Sequence, residues 1–142
     1  MKILLTLLTC LFILSPNVVL SETIDDLVKR DGLYYKKYSD VPFNGEVTGR
    51  SQGIFENGKR VGPWVTYHDN GQLQFKGTYK DGKKHGPWVQ YFDMTQDGKG
   101  ILFSKGTYKD GKREGFWIYN NDFGKLRKDI AGTYKNDKKI SD

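Results

Sequence analysis

Gly77-Thr78-Tyr79-Lys80-Asp81-Gly82-Lys83-Lys84-His85-Gly86-Pro87-Trp88-Val89 occurs more than once in this chain. It returns as Gly106-Thr107-Tyr108-Lys109-Asp110-Gly111-Lys112-Arg113-Glu114-Gly115-Phe116-Trp117-Ile118. An earlier copy runs Gly53-Ile54-Phe55-Glu56-Asn57-Gly58-Lys59-Arg60-Val61-Gly62-Pro63-Trp64-Val65, and a truncated one, Gly132 to Lys139, lies near the C-terminus. Successive copies begin 24, 29 and 26 residues apart. Self-similarity at such a period points to one small structural unit stacked on its neighbours.

Each copy reads as two strands and two turns. Asn57-Gly58, Asn70-Gly71, Asp81-Gly82, Asp97-Gly98 and Asp110-Gly111 are pairs that accept positive φ, as tight hairpin turns require. Between them lie alternating runs. In Leu73 to Tyr79, Leu73, Phe75 and Tyr79 share one face while Gln74, Lys76 and Thr78 share the other. Leu102, Gly106 and Tyr108 keep that phase, as do Leu126, Ile130, Gly132 and Tyr134. The expected fold class is all-β, an elongated single-layer antiparallel meander of stacked hairpins. A short capping helix is expected over Thr23 to Arg30, with Thr23 as its cap, Asp25 and Asp26 in its first turn, and Ile24, Leu27 and Val28 on its apolar face. Residues 22–52 form the cap and a degenerate first repeat. Residues 53–142 hold the array, divided as 53–76, 77–105, 106–131 and a truncated 132–142. In the last turn Asn136-Asp137 stands where the other copies have a glycine, which suits an array that stops.

These residues resemble the MORN repeats, and specifically a bacterial form running Tyr-x-Asp-Gly-Lys-x-x-Gly-x-Trp-x-x-Tyr. The resemblance covers Gly53 to Lys138 and, more loosely, Leu33 to Gly49. Similar bacterial proteins often carry the label YwqK-family antitoxin. The resemblance implies a non-enzymatic binding or scaffolding module that contacts proteins or lipids, with an antitoxin- or immunity-like role as one form of it. The third copy departs from the pattern: Phe116 replaces the proline before Trp117, and Asn120 stands where Tyr67 and Tyr91 follow the earlier tryptophans.

Composition agrees with strands and tight turns. Of the 142 residues, seventeen are Gly and four Pro, and aromatic residues reach 14%, too many for a disordered chain. At the N-terminus, Met1-Lys2 precedes the apolar run Ile3 to Leu14, then Pro16 and Ser21, the pattern of a signal peptide over residues 1–21. The run is short for a membrane span, which needs about 20 apolar residues. Export to the periplasm or beyond, peripheral to a membrane, is the expectation; an N-terminal membrane anchor is the alternative. Cys10, the only cysteine, lies inside this segment, so the remaining chain has no thiol for disulfides or metal sites.

Nothing in the sequence points to catalysis or a cofactor. His68 and His85 are expected on opposite edges of the sheet, too far apart for shared ligation. Asp93-Met94-Thr95-Gln96-Asp97-Gly98 opens like a calcium loop but has Ser104 where the bidentate acid belongs, so it reads as an enlarged hairpin loop. No nucleophile elbow, zinc-protease pair or phosphate-cradling loop occurs.

Two binding surfaces remain. One is a basic turn edge: Lys59 and Arg60; Lys80, Lys83 and Lys84; Lys109, Lys112 and Arg113; Lys135, Lys138 and Lys139. Strand spacing would repeat a basic turn about every 10 Å along it. That row suits anionic lipid, lipopolysaccharide or an envelope glycan. Turn lysines also keep an open sheet soluble and discourage edge pairing, which is the simpler account. The other surface is an aromatic row of Trp64, Tyr67, Trp88, Tyr91 and Trp117, which would stack on sugars or grip a protein if exposed. In a thin sheet aromatics must supply much of the packing, which favours the core. Trp64 and Tyr67 sit at odd spacing and point oppositely unless a bulge intervenes. The net charge of +6 favours anionic partners, and export argues against nucleic acid. The leading expectation is a protein partner.

Overall fold

At each Asn-Gly or Asp-Gly pair of the long hairpins the backbone is left-handed twice in succession: Asn57 (φ 48°) and Gly58 (74°), Asp81 (50°) and Gly82 (78°), Asp110 (50°) and Gly111 (86°). Two positive φ values in a row match the right-handed twist of the flanking strands and fold the chain into two-residue hairpins. The computed structural model describes residues 21–96 and 99–142. The expected signal segment (but for Ser21), Cys10 and the Asp97-Gly98 turn lie outside the described residues.

The strands are β1 (Glu22–Thr23), β2 (Leu27–Arg30), β3 (Leu33–Lys36), β4 (Gly45–Thr48), β5 (Ser51–Glu56), β6 (Lys59–Tyr67), β7 (Leu73–Lys80), β8 (Lys83–Gln96), β9 (Lys99–Lys109), β10 (Lys112–Tyr119), β11 (Gly132–Lys135) and β12 (Lys138–Ser141). From β4 to β12 they follow one another in space as they do in sequence, each antiparallel to the next, in one open sheet. β1 lies parallel to β4 at one end of it. The all-β meander of stacked hairpins is therefore what the chain adopts.

Within β6, β8 and β10 the second glycine of each copy, Gly62, Gly86 and Gly115, has φ of 66°, 81° and 73°. Pairing with the preceding strand skips at the same places, between Gln52 and Ile54, between Gly77 and Tyr79, and between Glu114 and Ile118. These are bulges. They explain how Pro63 and Pro87 sit inside central strands, where a proline otherwise removes a ladder bond.

The N-terminal helix is a correction. Only Ile24–Asp26 is helical, as a single 3-10 turn, and Leu27–Arg30 is strand β2, paired with β3 from Leu27 opposite Lys36 to Arg30 opposite Leu33. The start signal holds locally: the Thr23 backbone N–H (2.9 Å) and hydroxyl (2.7 Å) both donate to Asp26 Oδ2. Beyond that turn the Asp31-Gly32 pair, at φ 48° and 83°, makes another two-residue hairpin, and the strand ladder replaces the helix. This hairpin still caps the array, because Leu27 and Tyr34 pack with Phe43, Val47, Phe55 and Trp64. The strand phase expected from Leu126 is also shorter than read: Leu126 meets Asn120 in a lone bridge and β11 begins only at Gly132.

Candidate functional site

Alternation puts the tryptophans of β6, β8 and β10 on one face, and there they are consumed by packing. Trp64, Trp88 and Trp117 are 0%, 3% and 1% exposed. Each ring lies flat on the glycine that opens its own copy, one strand back. An added Cβ at Gly53 would fall 2.3 Å from Trp64, at Gly77 1.9 Å from Trp88, and at Gly106 2.2 Å from Trp117. The intervening tyrosines bridge them edge to face: Trp64 to Tyr79 (5.9 Å between centroids), Tyr79 to Trp88 (5.4 Å), Trp88 to Tyr108 (5.8 Å) and Tyr108 to Trp117 (4.7 Å). This continuous stack is the core, and the three tryptophans of the expected aromatic row lie in it rather than on an exposed surface. Its tryptophans are buried, and Tyr67 and Tyr91 make none of these ring contacts. The register slip beside Tyr67 falls in β7 (Thr66 opposite Phe75, Tyr67 opposite Leu73), so β6 keeps its alternation and Tyr67 points away from Trp64.

The basic residues do share one edge, because each hairpin turn bonds to the hairpin before it. Gly82 N–H donates to the Arg60 carbonyl (3.0 Å), Gly111 to Lys84 (2.8 Å) and Asp137 to Arg113 (3.1 Å). Their side chains then divide into two sets. Arg60, Lys84 and Arg113 fold back over the aromatic face: the Arg60 guanidinium lies 4.5 Å from the Trp64 centroid, Lys84 Nζ 4.3 Å from Trp88, and the Arg113 guanidinium 4.1 Å from Tyr134. Burial, and then the charge of Arg60, push the Lys84 ammonium below its ordinary pKa. Lys59, Lys80, Lys83, Lys109, Lys112, Lys135 and Lys138 are exposed, and Lys139 is half-buried beside Asp142 (2.6 Å). The alternation of strand residues already separates the sets, since Arg60, Lys84 and Arg113 each stand four residues before a tryptophan. That spacing was the available signal.

The turn histidines are engaged locally. His68 Nε2 meets the Tyr91 carbonyl at 3.2 Å, and His85 Nδ1 accepts from the Asp110 N–H at 3.3 Å. Asp93 accepts from Asn70 Nδ2 at 2.8 Å, an inter-loop contact. Among the described residues no group of three or more His, Cys, Asp or Glu is placed to hold a metal ion.

The opposite face carries the surface that sequence reasoning missed. Across it runs a row in register, Val65, Lys76, Val89, Lys105 and Ile118. A second row holds Pro63 opposite Thr78 and Pro87 opposite Thr107. Between the rows lie Gly77, Trp88 and Gly106, whose side chains are absent or point to the core, so the sheet backbone floors a trough of about 400 Å³ lined mainly by apolar atoms. Its rim lysines, Lys76 and Lys105, are exposed, and no carboxylate lines it. Ile54 and Phe116 leave further apolar surface on the sheet, 47% and 59% exposed. The signal was present in the sequence: the residues flanking a buried tryptophan, as in Pro63-Trp64-Val65, Pro87-Trp88-Val89 and Phe116-Trp117-Ile118, must face the other way.

Among known protein families, the MORN repeat matches residues 52–63, 75–87 and 105–116. No curated protein matches the chain. The three matched segments coincide with the Asn-Gly and Asp-Gly hairpins and their bulges, and they concern the repeat alone, not the YwqK label. Repeats of this family are generally associated with binding and scaffold roles and are not catalytic. The chain therefore carries three MORN repeats, each built around a hairpin turn of the sheet.

Proposed function

We propose that the chain is an exported, non-catalytic docking module whose trough seats an acidic, apolar segment of a partner protein. The observation that carries this reading is the trough itself. A face with two prolines and Val89 around a backbone floor offers a recess for an apolar anchor, and lysines at its rim complement acidic neighbours of that anchor. An antitoxin- or immunity-like role would be one instance of such docking, and export is supported by the apolar N-terminal run. The test is affinity capture with the tagged full chain from an envelope extract, in parallel with Val89→Glu and with the charge-reversed pair Lys76→Glu, Lys105→Glu. The reading expects a stoichiometric protein that is lost with Val89→Glu and weakened by charge reversal, while all three proteins unfold at similar denaturant. Undiminished capture by Val89→Glu would falsify it.

A second reading is favoured by the exposed lysines of the turn edge, which would contact anionic lipid or glycan. That contact should fall steeply with ionic strength, whereas an apolar recess should not. Recovery of lipid alone, lost at high salt, moves the function to the edge.

A further inference from the structure

The turn edge treats its two arginines differently. Arg113 is fully served: its Nε donates to Asp137 Oδ1 at 3.1 Å, its backbone N–H donates to the same oxygen at 2.8 Å, and Nη2 donates to the Asp137 carbonyl at 3.1 Å. Asp137 occupies the second position of its turn, at φ 70°, and its N–H bonds the Arg113 carbonyl. The corresponding position beside Arg60 is Gly82, at φ 78°, whose N–H bonds the Arg60 carbonyl in the same way. Gly82 has no carboxylate to give.

Two consequences are visible around Arg60. Its Nε is buried with no hydrogen-bond acceptor among the described residues, although Nη1 reaches the Tyr79 hydroxyl at 3.2 Å. A recess of about 160 Å³ opens there, lined by Lys29, Lys59, Arg60, Tyr34, Tyr79 and three turn glycines, with no acidic residue in its wall. Three cations around a small polar recess, one of them with an orphaned guanidinium nitrogen, form a site with no acidic partner in its wall.

We propose that this recess is a carboxylate site, filled by an acidic group from outside the chain that takes the place beside Arg60 which Asp137 takes beside Arg113. The site lies at the turn edge on the aromatic side of the sheet and stands whether or not the trough docks a partner. A carboxylate is the fitting oxyanion because the chain itself closes the equivalent position with one, through the guanidinium Nε.

Gly82→Asp tests the equivalence directly. The nearest neighbour of the new Cβ would be the Lys59 side chain, at an ordinary 3.6 Å, and Asp137 shows that aspartate accepts this backbone. Acetate and inorganic phosphate are titrated separately into the ¹⁵N-labelled 142-residue protein at constant ionic strength, with chloride as control. Acetate is expected to give saturating shifts at the Gly58, Arg60 and Gly82 amides and at Arg60 Nε–H. In Gly82→Asp that response should be at least tenfold weaker. Asp137→Gly should create a second acetate response at Arg113. Shifts that are linear, that chloride reproduces, or that persist in Gly82→Asp overturn the site. Saturation by phosphate without saturation by acetate overturns its assignment to a carboxylate.

Discussion

Gly77→Ala separates this core from ordinary strand propensity by the sign of its effect. Gly77 has no left-handed φ that would require glycine, so local rules favour alanine in a strand by roughly 0.5–1 kcal/mol. The packing says the opposite. The new Cβ would lie 1.9 Å from Trp88 Cε3. Carbon atoms rest about 3.5–4.0 Å apart, so the indole must retreat by roughly 1.6–2 Å. It has little room, because Phe75 stacks on it at 5.1 Å and Tyr79 and Tyr108 meet it edge-on at 5.4 and 5.8 Å. Overpacking of this kind costs about 1–3 kcal/mol, and complete expulsion of the ring approaches the roughly 3–5 kcal/mol of a Trp→Ala change. After the alanine gain is subtracted, the net expectation is destabilisation of up to about 2.5 kcal/mol for overpacking, rising to roughly 2–4.5 kcal/mol if the ring is expelled. Urea unfolding followed by tryptophan fluorescence would read it as a lower midpoint at unchanged slope. Gly62→Ala is the comparison, since its Cβ meets nothing within 4 Å and only its φ of 66° resists alanine. A Gly77→Ala midpoint at or above wild type would refute the account of tryptophans seated on glycines.

Two further outcomes follow from particular atoms. Trp64 Nε1 donates to the Val61 carbonyl (3.2 Å) and Trp117 Nε1 to the Thr107 carbonyl (3.1 Å), whereas the buried Trp88 Nε1 has no partner among the described residues. Trp88→Phe should therefore cost about 1 kcal/mol less than Trp117→Phe in the same urea assay, because it strands no acceptor and removes an orphaned donor. The Arg113 backbone N–H, and then its guanidinium, hold the Asp137 carboxyl below the usual carboxylate range. Asp137 thus contributes stability that is present above its unfolded pKa and is lost as pH falls through the folded one. Asp137→Asn should lower the denaturant midpoint at pH 7 and reduce its drop between pH 7 and acid. An acid drop as large as that of wild type would refute the linkage.

The meander was legible because its turns are written in pairs such as Asp81-Gly82 and because the copies keep an even phase from Phe75 and Tyr79 to Gly106 and Tyr108. The helix at Thr23 was misread because a cap and two aspartates are local signals, whereas β2 depends on pairing with β3, a contact those signals do not contain. The aromatic row was assembled from the wrong tyrosines. Tyr79 and Tyr108 join the stack from the strand preceding each hairpin turn, while Tyr67 and Tyr91 fall on the other parity. The trough went unseen for a related reason. Attention to conspicuous tryptophans passed over Pro63, Pro87 and Val89, whose alternation makes them the accessible set. The recess beside Arg60 was beyond sequence reasoning, since it needs Lys29 and Tyr34 of the capping hairpin brought against a turn formed later in the chain.

An open sheet has to end, and this one ends differently at each side. At the start, β1 adds only two residues in parallel to β4, and the β2–β3 hairpin brings Leu27 and Tyr34 onto the first rings. At the other side, among the described residues, β12 pairs only with β11, is four residues long and carries Lys138 and Lys139. Lys139 turns back to the Lys128 and Asp129 carbonyls (3.2 and 3.4 Å). A short, charged, self-engaged edge is a poor template for another strand. Asp137 belongs to the same device, because it closes the last arginine with a group of the chain itself. The chain therefore neutralises its own charge at the end where the sheet would otherwise grow and leaves it open beside Arg60, at the capped end. Placing an aspartate at position 82 would remove that polarity along the edge without touching the core, so its effect on binding can be read apart from folding.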